Sequence, residues 1–180
     1  LIDNTDPQQI FGTCYMLEKS TNSWKLHGNM KSKRFHHAST TLNNALFITG
    51  GYDENYARLA SSEYIYGNGT TESGIDLPAT RWGHCMATLH DGRVMIIGGY
   101  PSTHYSHSII MDPANNIYTD SPNMNHNRIY AACTVFNSAF HNGRPVVLSA
   151  GGSSQTTAEV FDYTYANQWE TSIHLIISNL

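Results

Sequence analysis

The sequence predicts an all-β protein assembled from similar four-stranded units, and three observations carry that expectation. Diglycines recur at Gly50-Gly51, Gly98-Gly99 and Gly151-Gly152, at intervals of 48 and 53 residues. Each closes a short apolar run: Ala45 to Thr49, Val94 to Ile97 and Val146 to Ala150. Around them lie other short runs rich in Val, Ile, Tyr, Phe and Thr, parted by Gly, Asn, Asp and Pro, and no helical stripe of apolar residues stands out. A fixed period near fifty residues signals a repeat architecture.

A second marker repeats independently: an aromatic residue, then Met or Leu, then Arg. It reads Trp24, Met30, Arg34 and again Tyr118, Met124, Arg128; the middle copy keeps Leu77 and Arg81 but has Thr71 for the aromatic. A fourth start shows at Trp169 and Leu175, with Asn179 in the arginine's place. From Gly51 to Arg81 and from Gly99 to Arg128 the chain runs 30 and 29 residues, whereas arginine to second glycine takes 17, 18 and 24. The extra length falls between Phe136 and Val146, where Asn137, Ser138, Asn142 and Gly143 spell a loop. Asn43-Asn44 and His90-Asp91-Gly92 are the matching hairpin turns of the first two copies.

Each copy therefore reads as four strands. The first follows the arginine (Ala38 to Leu42, Cys85 to Leu89, Ala132 to Phe136) and the second ends in the diglycine. The third lies around Glu63 to Tyr66, Ile109 to Asp112 and Glu159 to Asp162, and the fourth carries the aromatic. Glycine pairs at a strand end suit a sharp exit or close backbone packing, which a Cβ would forbid.

Composition narrows the function. Of the 180 residues, 40% are apolar and 13% charged, with a formal net charge of -4, so a core is affordable and a nucleic-acid partner is disfavoured. Lys31, Lys33 and Arg34 form the one local basic cluster, which reads as a solvated loop. No apolar run approaches the roughly twenty residues of a membrane helix. Cys14, Cys85 and Cys133 are odd in number and widely spaced, so they read as buried thiols rather than as a disulfide framework or zinc site, which weakly favours a reducing, cytoplasmic setting. The sequon Asn68-Gly69-Thr70 keeps an extracellular parent open. The chain begins with Leu1 and shows no signal sequence, and we read it as a piece of a longer protein.

Ten histidines call for a metal or general-base test. His37 and His84 each stand three residues after a motif arginine, as repeat positions that serve the scaffold, and Ala131 holds the third such place. His104 and His107 share the loop after Gly99, but two imidazoles make a weak metal site. No nucleophile elbow, phosphate loop or zinc-protease helix occurs, so no enzyme activity and no cofactor are expected.

An inner strand ending in Gly-Gly, an aromatic such as Trp24, Tyr118 or Trp169, and an arginine ten residues later resemble the kelch motif, in three ordered copies across nearly the whole chain. The resemblance implies a kelch-type β-propeller in an incomplete ring, with about three complete four-stranded blades and partial blades at both ends. It divides the chain into the end of a preceding blade (1–23), three motifs (24–70, 71–117, 118–168) and the start of a following blade (169–180). In peptide-binding kelch domains the partner sits at one mouth of the ring. That likeness puts Arg34, Arg81 and Arg128 near the mouth, with Tyr52, Asp53, Tyr100, Ser102, His104, Ser153 and Gln155 from the loops after the diglycines. Such a rim suits a protein or peptide ligand of acidic character. A second role stays open for each arginine, a bond to an acid or carbonyl inside its own blade. Two parents are implied, the substrate receptor of a cullin-type ubiquitin ligase and an actin-associated kelch protein. The alternatives are a galactose-oxidase-like copper propeller, whose ligand signature cannot be placed here, and an extracellular multidomain kelch protein.

Overall fold

The computed structural model describes residues 10–172 except Ser154 and Ala166. Leu175 and Asn179 of the fourth marker therefore lie outside the described residues. The described residues are all-β apart from two short 3-10 turns, Ser102–His104 and Ala139–His141. Strands β1 (Thr13–Glu18) and β2 (Ser23–Asn29) pair as a two-stranded sheet. Three four-stranded antiparallel meanders follow. The first holds β3 (Ala38–Leu42), β4 (Ala45–Thr49), β5 (Ser62–Tyr66) and β6 (Thr71–Ser73). The second holds β7 (Cys85–Thr88), β8 (Val94–Ile97), β9 (Ser108–Asp112) and β10 (Ile117–Ser121). The third holds β11 (Ala132–Ser138), β12 (Arg144–Ala150), β13 (Ala158–Phe161) and β14 (Trp169–Ser172).

The sheets stack face to face, with β7 against both β3 and β11. Strand β8 shows why its sequence is continuously apolar: Val94 and Ile96 face the first sheet, Met95 and Ile97 face the third, and all four are buried. A strand covered on both sides has no polar alternation to display. One core joins Leu42, Phe47 and Leu77 to Met86, Val94 and Met111; the other joins Met95, Ile110 and Met124 to Val147, Phe161 and Trp169. Blade-like stacking of this kind matches a propeller, and the described residues form no closed ring.

The sheets are offset by one strand from the sequence motifs. Tyr118 and Trp169 lie on the fourth strand of the sheet before them, and Trp24 on β2 of the two-stranded sheet, because a tight antiparallel hairpin ties each of these strands to its predecessor. Trp169 thus completes the third sheet rather than opening a following blade. Its indole stacks on Phe161 at 5.2 Å and donates from Nε1 to the Pro122 carbonyl at 2.9 Å. Tyr118 donates likewise to the Ile75 carbonyl at 3.1 Å, and Thr71, in the aromatic's place, donates to the Asn29 carbonyl at 2.7 Å. Trp24 has no such partner among the described residues and is 69% exposed.

Candidate partner-binding site

The arginines set the frame. Arg34, Arg81 and Arg128 donate from Nη1 to the first glycine of their own copy: Gly50 at 2.8 Å, Gly98 at 2.7 Å and Gly151 at 2.8 Å. The second glycine donates to the next arginine's carbonyl, Gly51 to Arg81 at 2.8 Å and Gly99 to Arg128 at 2.9 Å. The first two diglycines are thereby fastened to their own copy and to the next. Gly98 has φ +64°, and a Cβ there would lie 2.5 Å from the Arg128 carbonyl oxygen, so only glycine fits.

The expectation that these arginines line a partner's mouth is corrected. All three are buried, and each also bonds its own sheet: Arg34 reaches Ser61 and Glu63, Arg128 reaches Thr157 and Glu159, and Arg81 reaches His107. Buried guanidiniums that already serve acceptors of their own sheets are withdrawn from an outside carboxylate, and Arg128 spends all of its N–H groups this way. Glu63 and Glu159 are the acceptors that the sequence reading missed. Each also takes two backbone N–H groups, from Lys31 and Ser32 or from Asn125 and His126. In the middle copy Ile109 replaces the glutamate, and Pro78, which has no N–H, replaces one of the donors. Burial without a carboxylate lowers Arg81 to a pKa of about 10.

Histidines near the arginines serve the scaffold. His84 shares a 2.8 Å hydrogen bond with the Thr49 hydroxyl, and burial, then the charges of Arg81 and His37, lower it to about 3. His37 is also lowered, first by burial and then by Arg34. Cys85 and Cys133 are not free thiols. They form a disulfide between β7 and β11, with their Cα atoms 6.0 Å apart, because equivalent strands of successive copies lie side by side. Cys14 is free, with its thiol raised by burial.

What the arginine loops do offer is aromatic. Immediately after Arg34 and Arg81, Phe35 and Trp82 form two-bond backbone bridges with Tyr52 and Tyr100, the residues after the diglycines. The rings form a row, with Phe35 to Tyr52 at 5.3 Å, Tyr52 to Trp82 at 5.1 Å and Trp82 to Tyr100 at 5.0 Å between centroids. His36 and Tyr130 flank Trp82, each at 5.8 Å, and Tyr56 stands edge-on to Phe35 at 5.5 Å. The four rings of the row are partly exposed, while His36, Tyr56 and Tyr130 are exposed. The loops are fixed across copies, since Gly83 donates to the His36 carbonyl at 2.9 Å and Tyr130 to the Gly83 carbonyl at 2.6 Å. At the end of the row the exposed Arg58 lays its guanidinium over Tyr100, 4.8 Å from the centroid, and pairs with no carboxylate among the described residues. Its planar edge keeps donors free for a carboxylate.

Of the residues named from sequence, Tyr52 and Tyr100 belong to this row. Asp53 closes its own loop by accepting from the Asn55 and Ala57 amides, both at 2.8 Å. Ser102 and His104 lie in the 3-10 turn beside it. Ser153 donates its amide to the Ile129 carbonyl at 2.8 Å and the Gln155 amide bonds Gly152 at 3.1 Å, so the third copy keeps one bond of the bridge and lacks the rings. Phe35, Trp82 and Arg58 were missed. The signal for two of them was present as an aromatic directly after the arginine in two copies.

No family model matches the chain. Among curated proteins, alpha-scruin of Limulus polyphemus is 29% identical over 140 residues, which cover 72% of this chain and 15% of the relative. Beta-scruin of the same organism is 26% identical over 165 residues, covering 86% of this chain and 18% of the relative. The chain thus spans less than a fifth of either relative's length. Scruins are kelch-repeat proteins, and this likeness supports the kelch reading of the diglycine and arginine markers. Among the described residues no helix is long and apolar enough to cross a membrane.

Proposed function

We propose that this chain is a kelch-type protein-interaction module, without chemistry of its own, that holds its partner on the ring row from Phe35 to Tyr100 and pairs an acidic residue of that partner with Arg58. The observation that carries the reading is the row itself. Four partly exposed rings brought together from loops of two sheets present the kind of stiff aromatic surface on which binding energy concentrates. Asp53 is occupied within its loop and Lys33 is paired with Glu54 at 2.6 Å, so among the described residues Arg58 is the unpaired cation beside the rings. Of the two parents implied by the kelch resemblance, the likeness to scruins favours the actin-associated one over the ligase receptor.

The test uses the intact chain with actin filaments in cosedimentation, and an array of acidic peptides containing aromatic or prolyl residues. Trp82→Ala and Arg58→Ala are each expected to weaken binding by about tenfold or more while leaving the circular dichroism spectrum unchanged. Full affinity in both variants would remove the proposed site. Binding to the array but not to filaments would retain the site and reject actin as the partner.

A further inference from the structure

The middle copy alone puts an imidazole where its siblings place a hydroxyl. Arg34 donates from Nη2 to Ser61 Oγ at 3.1 Å and Arg128 to Thr157 Oγ1 at 2.9 Å, whereas Arg81 meets Nδ1 of His107 at 2.9 Å. We propose that Arg81, His107 and Asp120 form a proton-operated latch on the loop from Gly98 to His107, and through it on the ring row. The regulatory half of this inference rests on the ring row being the partner site.

The donor count fixes the tautomer. A guanidinium only donates, so Nδ1 must offer its lone pair and the ring proton sits on Nε2, facing Asp120 Oδ1 at 3.2 Å. Taking up a second proton would turn Nδ1 into a donor aimed at another donor, with two positive charges 2.9 Å apart. Among the described residues, the charged and titratable groups in contact with His107 are Arg81, the exposed Asp120 of β10, and His104, whose ring lies 5.3 Å away. Burial, then Arg81 and His107, lower His104 to about 4, so it stays neutral in mild acid. The carboxylate that could absorb a new charge in the other sheets is here Ile109.

Arg81 is also the clasp of the loop. Its Nη1 holds the carbonyls of both ends, Gly98 at 2.7 Å and His107 at 3.1 Å, and the segment between them carries Tyr100. Expelling the imidazole therefore loosens the segment that supplies the end of the ring row and the platform under Arg58.

Hydrogen exchange on the intact chain tests this with an internal control. The Gly98 amide bonds the His107 carbonyl at 3.0 Å, and in the sibling loops Gly50 bonds Ser61 at 3.0 Å and Gly151 bonds Thr157 at 3.1 Å. From about pH 7.5 to about pH 5, protection at Gly98 should fall about tenfold, the weight of one charged hydrogen bond. Gly50 and Gly151 should hold, after correction for intrinsic exchange and for the global loss of stability that protonation of His84 brings. His107→Thr, which restores the sibling hydroxyl, should abolish the response, and Ile109→Glu, which restores the carboxylate, should blunt it and decides the matter if the first variant does not fold. Equal responses at Gly50 and Gly98, or an unchanged response in both variants, would overturn the latch. Filament or peptide binding at about pH 7.5 separates the two ideas. If binding is insensitive to Trp82→Ala and Arg58→Ala, the ring-row site falls while the Gly98 result still judges the latch.

Discussion

Arg128 forks onto one oxygen of Glu159, from Nε at 3.3 Å and Nη2 at 3.1 Å, with neither side chain exposed to solvent. Removing one partner from such a buried pair strands the other charge, which typically costs about 3–5 kcal/mol. Arg128→Met is therefore expected to be severely destabilising in urea unfolding, and the Arg128→Met, Glu159→Leu double variant to recover much of that loss, because no charge is left without a partner.

Gly98 sits at φ +64° against the Arg128 carbonyl. Gly98→Ala should lose about 1–3 kcal/mol through backbone strain, with the neighbouring carbonyl forced to shift. Gly92, also at positive φ, has no atom within 4 Å of where a Cβ would stand, so Gly92→Ala should cost less, through its backbone conformation alone. Paired thermal melts of the two variants measure the difference.

Thiol titration under denaturing, non-reducing conditions should find a single reactive cysteine, Cys14, since Cys85 and Cys133 are joined. The bridge spans 48 residues of sequence. Closing a loop of that length restrains the unfolded chain, so Cys85→Ser with Cys133→Ser should lower stability by about 2–4 kcal/mol.

His84 gives the fold an acid limit. Its pKa is depressed when folded, to about 3 from the usual 6.5, so the unfolded chain binds the proton more tightly. The contribution is fully present above pH 6.5 and is lost progressively as pH falls toward 3. Urea midpoints measured from neutral pH downward should fall across that window, and His84→Gln should flatten the decline.

The spacing of the diglycines and arginines determined the repeat, the strand count and the position of the inserted turn, because a repeated unit must meet the same neighbours at the same intervals. Strand bounds such as Ala45–Thr49 and Val94–Ile97 were legible for a related reason: strands covered on both faces leave an uninterrupted apolar run. The offset between motif and sheet was not legible, since only hydrogen bonding tells on which side Trp169 finds its partner strand. Nor could the sequence choose between the two roles left open for Arg34, Arg81 and Arg128. A guanidinium seeks whichever acceptors the fold brings within reach, and here stacking brings Glu63, His107 and Glu159 inside. Tertiary structure likewise decided the cysteine bridge and the ring row. Cys85 and Cys133, or Tyr52 and Trp82, are distant along the chain, and they become neighbours only when successive sheets are laid face to face.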